Sequence, residues 1–168
     1  MECTQNVRTF HNSIKFNLIN KYCKNKSIID IGSGRLGDII KYVKSDVKSL
    51  LGIEISLANI IEGDERLLNF DKERRMKIKN ILTVLNTTGS DEKLQYLDQR
   101  DVCISFFSLS FFFDTESNFN KLLNNINKLC KETFILTTID GDRLHNLMKD
   151  KCELRSKNCY IKRVYECE

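Results

Sequence analysis

Residues 27–38 read Ser-Ile-Ile-Asp-Ile-Gly-Ser-Gly-Arg-Leu-Gly-Asp, and this stretch decides the fold class. The run from Ser27 to Gly32 is typical of a buried strand that ends directly in glycine. Glycine at such a point lets the backbone turn sharply and approach a ligand closely. The apolar residues that follow recur with helical spacing, at Leu36, Ile39, Ile40 and Val43. The stretch therefore predicts a strand, a glycine-rich turn and a helix.

Strand and helix signals alternate along the rest of the chain. An amphipathic helix precedes the first strand, with apolar residues at Phe10, Ile14, Leu18 and Tyr22. Further strands are predicted at 48–54, 76–85, 101–107, 133–139 and 160–167, and helices at about 57–68, 91–99, 119–129 and 142–148. This order predicts an α/β fold with a mostly parallel sheet and helices on both faces. We expect one domain over 1–168, with an N-terminal helix (1–26) that covers the ligand site and a Rossmann-like core (27–168).

Composition excludes several classes of protein. The 168 residues are 41% hydrophobic and 30% charged, which is an ordinary globular balance, and the absence of proline excludes proline-rich linkers. The net charge of +4 fits an anionic partner without requiring one. The longest apolar run, 104–113, is too short to span a bilayer, so we expect no membrane partner.

The cysteines indicate a reducing compartment. There are seven of them, with no CxxC pair and no signal peptide before them, which predicts free thiols and a cytoplasmic location. A zinc site made of His145 and three cysteines (Cys152, Cys159 and Cys167) is the alternative. Their spacing matches no zinc finger, so we predict no metal site.

The glycine turn and a later acid together indicate a nucleoside-containing ligand. Gly32, Gly34 and Gly37 have GxGxxG spacing, and Glu54 follows at the predicted end of the second strand. A carboxylate there can accept hydrogen bonds from both ribose hydroxyls. A tight turn without any ligand is the alternative interpretation.

Two features favour S-adenosylmethionine over a nicotinamide dinucleotide. Asp30 lies two residues before the first glycine, where it would repel a pyrophosphate and attract the cationic methionine end of the methyl donor. The helix before the first strand carries Asn12 and Lys15. An ammonium group there is suited to the carboxylate of the same cofactor.

These segments resemble the messenger RNA cap (guanine-N7) methyltransferases, with the poxvirus-like viral branch the most similar. Residues 8–19, Arg-x-Phe-His-Asn-x-Ile-Lys-x-x-Leu-Ile, are similar to the family's N-terminal helix motif R-x-F-N-N-x-[IM]-K-x-x-L-I. Residues 29–42 resemble its glycine-loop motif, residues 101–107 its fourth strand, and residues 136–142 the poxviral motif ITTxDGD. The resemblance runs from about residue 7 to residue 147. It implies a class I methyltransferase that acts in mRNA capping.

The resemblance also implies a set of site residues. S-adenosylmethionine would be bound by Lys15, Asp30, Gly32, Gly34, Asp38, Glu54, Ser105 and Phe106. Asp38 would stiffen the glycine loop by capping the next helix or by ordering water. The capped 5′ end of RNA, rather than DNA, would be contacted by Asn12, Arg35, Ser110 and Phe111.

No catalytic side chain is predicted. The guanine N7 lone pair attacks the sulfonium methyl group directly, and no proton has to leave first. Catalysis then consists of holding the two substrates in line. We therefore name no general base.

The chain departs from the family at the end of the fourth strand. The family's Gln-Phe-x-x-His-Tyr is replaced by residues 106–111, so that Phe106, Ser110 and Phe111 stand at the Gln, His and Tyr positions. The third strand also lacks the acid expected to contact the adenine amino group, for which Asn80 or Asn86 is a candidate substitute. The C-terminal part is short, so part of the guanine pocket is expected to be missing. Either a partner subunit or an RNA-bound assembly completes the pocket, or the chain is a fragment of a polyprotein, or it is a minimal or degenerate version of the fold.

Two alternative functions therefore stay open. One is a non-catalytic, methyltransferase-like subunit that binds RNA or a partner. The other is a class I methyltransferase with a different acceptor, which the glycine loop permits but the N-terminal motif disfavours.

Overall fold

The computed structural model describes residues 2–72, 82–155 and 160–162. Its helices are α1 (Glu2–Tyr22), α2 (Ile39–Lys44), α3 (Leu57–Lys72), α4 (Glu116–Leu129) and α5 (Gly141–Met148). Its strands are β1 (Ser27–Ile31), β2 (Ser49–Glu54), β3 (Leu82–Asn86), β4 (Arg100–Phe106), β5 (Cys130–Thr137), β6 (Glu153–Arg155) and β7 (Tyr160–Lys162). Short 3₁₀ helices cover Glu92–Tyr96 and Leu109–Phe112.

Five parallel strands form the main sheet in the order β3-β2-β1-β4-β5. This is the doubly wound order, in which the topological switch point lies between β1 and β4. The predicted Rossmann-like α/β fold is thereby confirmed. The glycine turn after β1 opens at that switch point.

Alternate side chains of the central strands enter two apolar layers, as the two-residue repeat of a strand requires. On one face, Ile28 and Leu50 pack in a core with residues of α2 and the end of α1. On the other face, Ile29 and Leu51 pack in a second core with residues of α4. A strand buried on both faces reads as a continuous apolar run, which is why β1 was recognisable in the sequence.

Several predicted boundaries differ from the structure. The third strand was placed at 76–85, but β3 begins at Leu82, and residues 73–81 lie outside the described part of the chain. The helix predicted at 91–99 is a shorter 3₁₀ helix, because Asp91 caps it through Lys93 N and the backbone at Leu97 is extended. Leu36 precedes α2 with a φ of 52°, although its side chain is buried as the helical spacing predicted.

The chain divides into two compact units. The larger unit, residues 17–138, contains the five-stranded sheet. The other unit combines residues 1–16 with residues 139–168 and contains α5 and the antiparallel pair β6-β7. Strand β6 was not predicted, because three residues give too short a pattern. The single-domain arrangement stays a prediction.

Candidate functional site

A cavity of about 630 Å³ opens at the carboxyl ends of the central strands. Its size is in the range of small-molecule and cofactor sites. Its walls come from the loops after β1, β2, β3 and β4 and from the residues around the start of α4. The lining residues include Gly32, Gly34, Glu54, Ile55, Ser56, Asn59, Thr87, Thr88, Ser90, Phe106, Ser108, Phe111, Asp114 and Asn118.

The glycine turn is fitted tightly against the loop after β4. Gly32 has a φ of +76°, and a Cβ added to it would lie 2.4 Å from Ser108 Cβ. The Ser108 hydroxyl donates to the Ile31 carbonyl at 2.6 Å and shares a hydrogen bond with Ser105 Oγ at 2.8 Å. Ser105 is therefore placed beneath the turn, where it supports Ser108.

Glu54 ends β2 and is buried, yet its carboxylate belongs to the cavity wall. Its Oε2 accepts from Gly34 N at 2.8 Å, and its Oε1 accepts from Ser56 N at 2.9 Å and Asn59 Nδ2 at 3.2 Å. A carboxylate can accept about four hydrogen bonds. Three acceptor positions are thus used by the protein, and one position on Oε2 is left for a ligand.

Asp30 is buried below the turn and is not among the cavity-lining residues. It accepts a hydrogen bond of 2.7 Å from the Tyr42 hydroxyl. Burial raises the pKa of Tyr42 well above its usual value, so the phenol stays protonated and donates. The predicted contact between Asp30 and the cationic end of a cofactor stays a prediction.

Asp38 and Arg35 make contacts other than those expected. Asp38 is the N-cap residue of α2, but its side chain makes no capping hydrogen bond and pairs with Lys41 Nζ at 2.6 Å. The capping role was therefore wrong. Arg35 reaches α3, where it pairs with Glu62 at 2.8 Å and donates to Asn59 Oδ1 at 3.2 Å.

The phenylalanine run after β4 is divided between core and surface. Phe106 and Phe112 are buried, whereas Phe111 is 77% exposed, and all three line the cavity. Phe113 packs on Phe119 with ring centroids 4.9 Å apart. Ser110 is exposed and is not among the lining residues.

Asn12 and Lys15 lie on α1 in the smaller unit, exposed and half-buried respectively. Their assignment to the cofactor and the cap stays a prediction. Asn80 lies outside the described residues, as do two cysteines of the alternative zinc site, Cys159 and Cys167.

Sequence reasoning missed the loop after β3 as part of the site. Residues 87–90 line the cavity, and Asn125 of α4 holds this loop by donating to Gly89 O at 2.9 Å and Asp91 O at 2.8 Å. The signals were the candidate adenine contact at Asn86 and the loop-like composition of 86–90, whereas Asn125 falls in an ordinary helical pattern. Asn86, the candidate adenine contact, instead donates to Ile55 O at 2.9 Å.

Comparison with protein families shows the family of the chain. The family model of the mRNA (guanine-N(7))-methyltransferase domain matches residues 4–168. The chain belongs to this family. The predicted resemblance to this family is thereby confirmed.

A viral and a fungal protein are among the relatives that match this chain. The chain is 29% identical, over 89% of its length, to the probable mRNA-capping enzyme of Acanthamoeba polyphaga mimivirus, of which the match covers 15%. It is 31% identical, over 74% of its length, to the mRNA cap guanine-N(7) methyltransferase of Eremothecium gossypii, of which the match covers 30%. The chain thus spans less than a third of the length of these two relatives.

Solved structures share the fold of the domain. The PH0226 protein of Pyrococcus horikoshii superposes with a TM-score of 0.62 at 17% identity, over 91% of this chain and 68% of that one. The methyltransferase CcbJ of Streptomyces caelestis superposes with a TM-score of 0.60 at 12% identity, over 75% and 47% of the two chains. Among the described residues, no helix has the length and apolar character needed to cross a membrane.

Proposed function

We propose that this cap methyltransferase domain binds S-adenosylmethionine in the cavity and transfers its methyl group to guanine N7 of the RNA 5′ cap. The family match over residues 4–168 supports the reaction. The observation that carries the proposal is the cavity at the switch point, where the buried Glu54 carboxylate lies beside the glycine turn.

The residues present fit the cofactor. A Cβ added to Gly34 would meet no protein atom within 4 Å, so a ligand can approach the backbone there. The acceptor position left on Glu54 Oε2 suits one ribose hydroxyl, rather than the two that the sequence suggested. Lys15 and Asp30 remain proposed contacts of the methionine end, and Asp38 remains a proposed residue of the cofactor site.

The proposed reaction requires only that the protein position the cofactor and the cap guanine. Bound S-adenosylmethionine supplies an electrophilic methyl group on its sulfonium sulfur. Guanine N7 carries a lone pair and no proton, so the residues of this chain need not hold or move one. Phe111 offers an exposed aromatic face at the cavity wall on which a purine can stack. Asn12, Arg35 and Ser110 remain proposed contacts of the cap.

The test is methyl transfer from labelled S-adenosylmethionine to GpppN-capped RNA, with the modified base identified after nuclease digestion. We expect N7-methylguanosine as the product. We expect Glu54→Gln to lower kcat/KM at least about tenfold, since the amide loses a charged acceptor. Glu65→Gln, the same change on an exposed face of α3, is the matched control.

A second arm separates the alternative functions. Normal binding of S-adenosylhomocysteine without transfer, with or without candidate partner subunits, would contradict the enzymatic proposal and favour a non-catalytic subunit. Transfer to another acceptor would favour a methyltransferase of different specificity. A partner subunit that completes the guanine pocket and a cytoplasmic location, in a host cell if the protein is viral, belong to the proposal and are not needed for this test.

A further inference from the structure

A closed ring of hydrogen bonds joins the glycine turn to the start of α3. Gly34 N donates to Glu54 Oε2 at 2.8 Å, and Asn59 Nδ2 donates to Glu54 Oε1 at 3.2 Å. Asn59 Oδ1 in turn accepts from Arg35 Nε at 3.2 Å. Because Arg35 follows Gly34 in the chain, the ring closes around the one carboxylate of the cavity wall that ends β2.

The two bonds of the Asn59 side chain fix which way its amide points. A carboxylate accepts hydrogen bonds and a guanidinium donates them, so the Asn59 nitrogen faces Glu54 and its oxygen faces Arg35. Arg35 is itself held on α3 by an ion pair with Glu62 at 2.8 Å. Asn59 N donates to Ser56 Oγ at 3.3 Å, which holds the backbone of the same turn. The opposite orientation of the amide would place oxygen against oxygen and nitrogen against nitrogen.

The ring decides which lone pair of Glu54 faces the cavity. Ser56 N and Asn59 Nδ2 donate to Oε1, and Gly34 N takes one position on Oε2. The terminal torsion of a glutamate is broad, so its orientation depends on such bonds. The remaining position on Oε2 is the one assigned to a ribose hydroxyl under the proposed function, on which this inference rests.

We propose that Asn59, with its amide oriented by Arg35, positions the Glu54 carboxylate and thereby sets the preference of the site for an intact ribose. Asn59 is a positioning residue, since it acts through Glu54 and not on the reacting atoms. The proposed contact of Arg35 with the cap is compatible with this role, because a guanidinium has further N–H donors. The ribose is then the part of the cofactor whose binding depends on this pair.

The test is calorimetric titration of the whole chain with S-adenosylhomocysteine and with its 2′,3′-dideoxy analogue, which lacks both ribose hydroxyls. We expect the unchanged chain to bind the ribose compound about tenfold or more tightly, because a charged acceptor is left unpaired by the analogue. Asn59→Leu removes the amide at similar volume and should lower this ratio at least about threefold, with the affinity for the analogue unchanged. Asn69→Leu, on an exposed face of the same helix, is the matched control and should keep the ratio.

Arg35→Met tests the second half of the ring. The variant keeps an unbranched side chain and removes the donor to Asn59 Oδ1. We expect the ratio to fall in the same direction as in Asn59→Leu but by less, because the Asn59 amide keeps its bond to Glu54. Titration without capped RNA keeps this readout apart from the proposed contact of Arg35 with the cap.

Asn59→Asp separates positioning from a structural role. An acid in the first turn of a helix is favourable and α3 has none there, so we expect this variant to fold, which thermal melting verifies. The new carboxylate replaces the donor to Glu54 with a second acceptor, so the ribose preference should fall in a folded protein. In the Glu54→Gln background, Asn59→Leu should not lower the ratio further, because the route from Asn59 to the ribose is already lost.

The outcomes separate failure of this inference from failure of the proposed function. An unchanged ratio in the folded Asn59 variants, an equal loss of affinity for both compounds, or a further fall of the ratio in the Glu54→Gln background would overturn the positioning role and leave the proposed cofactor standing. A ratio close to one in the unchanged chain would overturn the ribose contact of Glu54, on which the inference rests. No binding of either compound to the unchanged chain would overturn the proposed cofactor, and this inference with it.

Discussion

At the scale of single residues, the tightest steric requirement of the cavity lies where Gly32 meets Ser108. The two side-chain positions face each other across the switch point, and there is no room for a second Cβ. Gly34 has a similar left-handed backbone, with a φ of +55°, but open space around it. An alanine at Gly34 therefore meets only the strain of a left-handed backbone, whereas an alanine at Gly32 also overlaps Ser108.

Gly32→Ala should destabilise the domain far more than Gly34→Ala. The Gly34→Ala variant should lose only about 1 kcal/mol of unfolding free energy, because alanine is strained in the left-handed backbone. In the Gly32→Ala variant the added Cβ also overlaps Ser108, which should lower the free energy of unfolding further, by about 2 kcal/mol or more. Urea denaturation measures both free energies of unfolding. Similar losses in the two variants would contradict the close approach, and Ser108→Gly should partly restore the Gly32→Ala variant.

At the scale of elements, α4 serves the site through one polar residue on its apolar face. Leu122, Ile126 and Leu129 pack in the core, whereas Asn125, also buried, bonds to the loop after β3. A buried amide in this position is favourable only because it satisfies two backbone carbonyls. The helix therefore positions a wall of the cavity as well as covering the sheet.

Asn125→Leu should cost about 2 kcal/mol, because the carbonyls of Gly89 and Asp91 lose their donor. It should also weaken binding of S-adenosylhomocysteine, since the loop that carries Thr87 loses its anchor. Asn127→Leu, on an exposed face of the same helix, is the control and should change neither quantity appreciably. Chemical denaturation and calorimetry give the two readouts. Unchanged cofactor binding in a destabilised Asn125→Leu variant would show that the loop holds without the helix.

At the scale of the whole molecule, the two apolar layers of the sheet also enclose cysteines. Cys23 lies in one layer and Cys103 in the other, while Cys152 is exposed. Burial, with Asp30 nearby, raises the pKa of Cys23 to about 12. Burial and the neighbouring Cys130 also raise the pKa of Cys103. Neither thiol is suited to react in the folded state.

Thiol labelling should therefore report global unfolding. At pH 8, well below the pKa of about 12, the buried Cys23 thiol stays protonated, whereas Cys152 is exposed to the reagent. We expect rapid alkylation of Cys152 and labelling of Cys23 and Cys103 only at the unfolding rate, with sites located by mass spectrometry. Fast labelling of Cys103 in native buffer would contradict a closed second layer.

The sequence by itself determined the alternation of strands and helices, the glycine turn, and the position of Glu54 at the end of β2. These features are encoded locally, in periodicity and in residues that have few backbone alternatives. The sequence also indicated the family, because the N-terminal motif and the glycine loop are contiguous stretches that can be recognised without the fold.

Only the tertiary structure decided which groups meet around the cavity. Ser108 under the glycine turn, Asn59 and the Gly34 amide on Glu54, and Asn125 on the loop after β3 are contacts between distant segments. The periodicity of the sequence does not predict such pairs, because each residue fits the pattern of its own helix or loop whether or not the long-range contact forms. For the same reason the resemblance suggested Asn80 or Asn86 as the adenine contact, whereas the fold directs the Asn86 amide to the backbone carbonyl of Ile55.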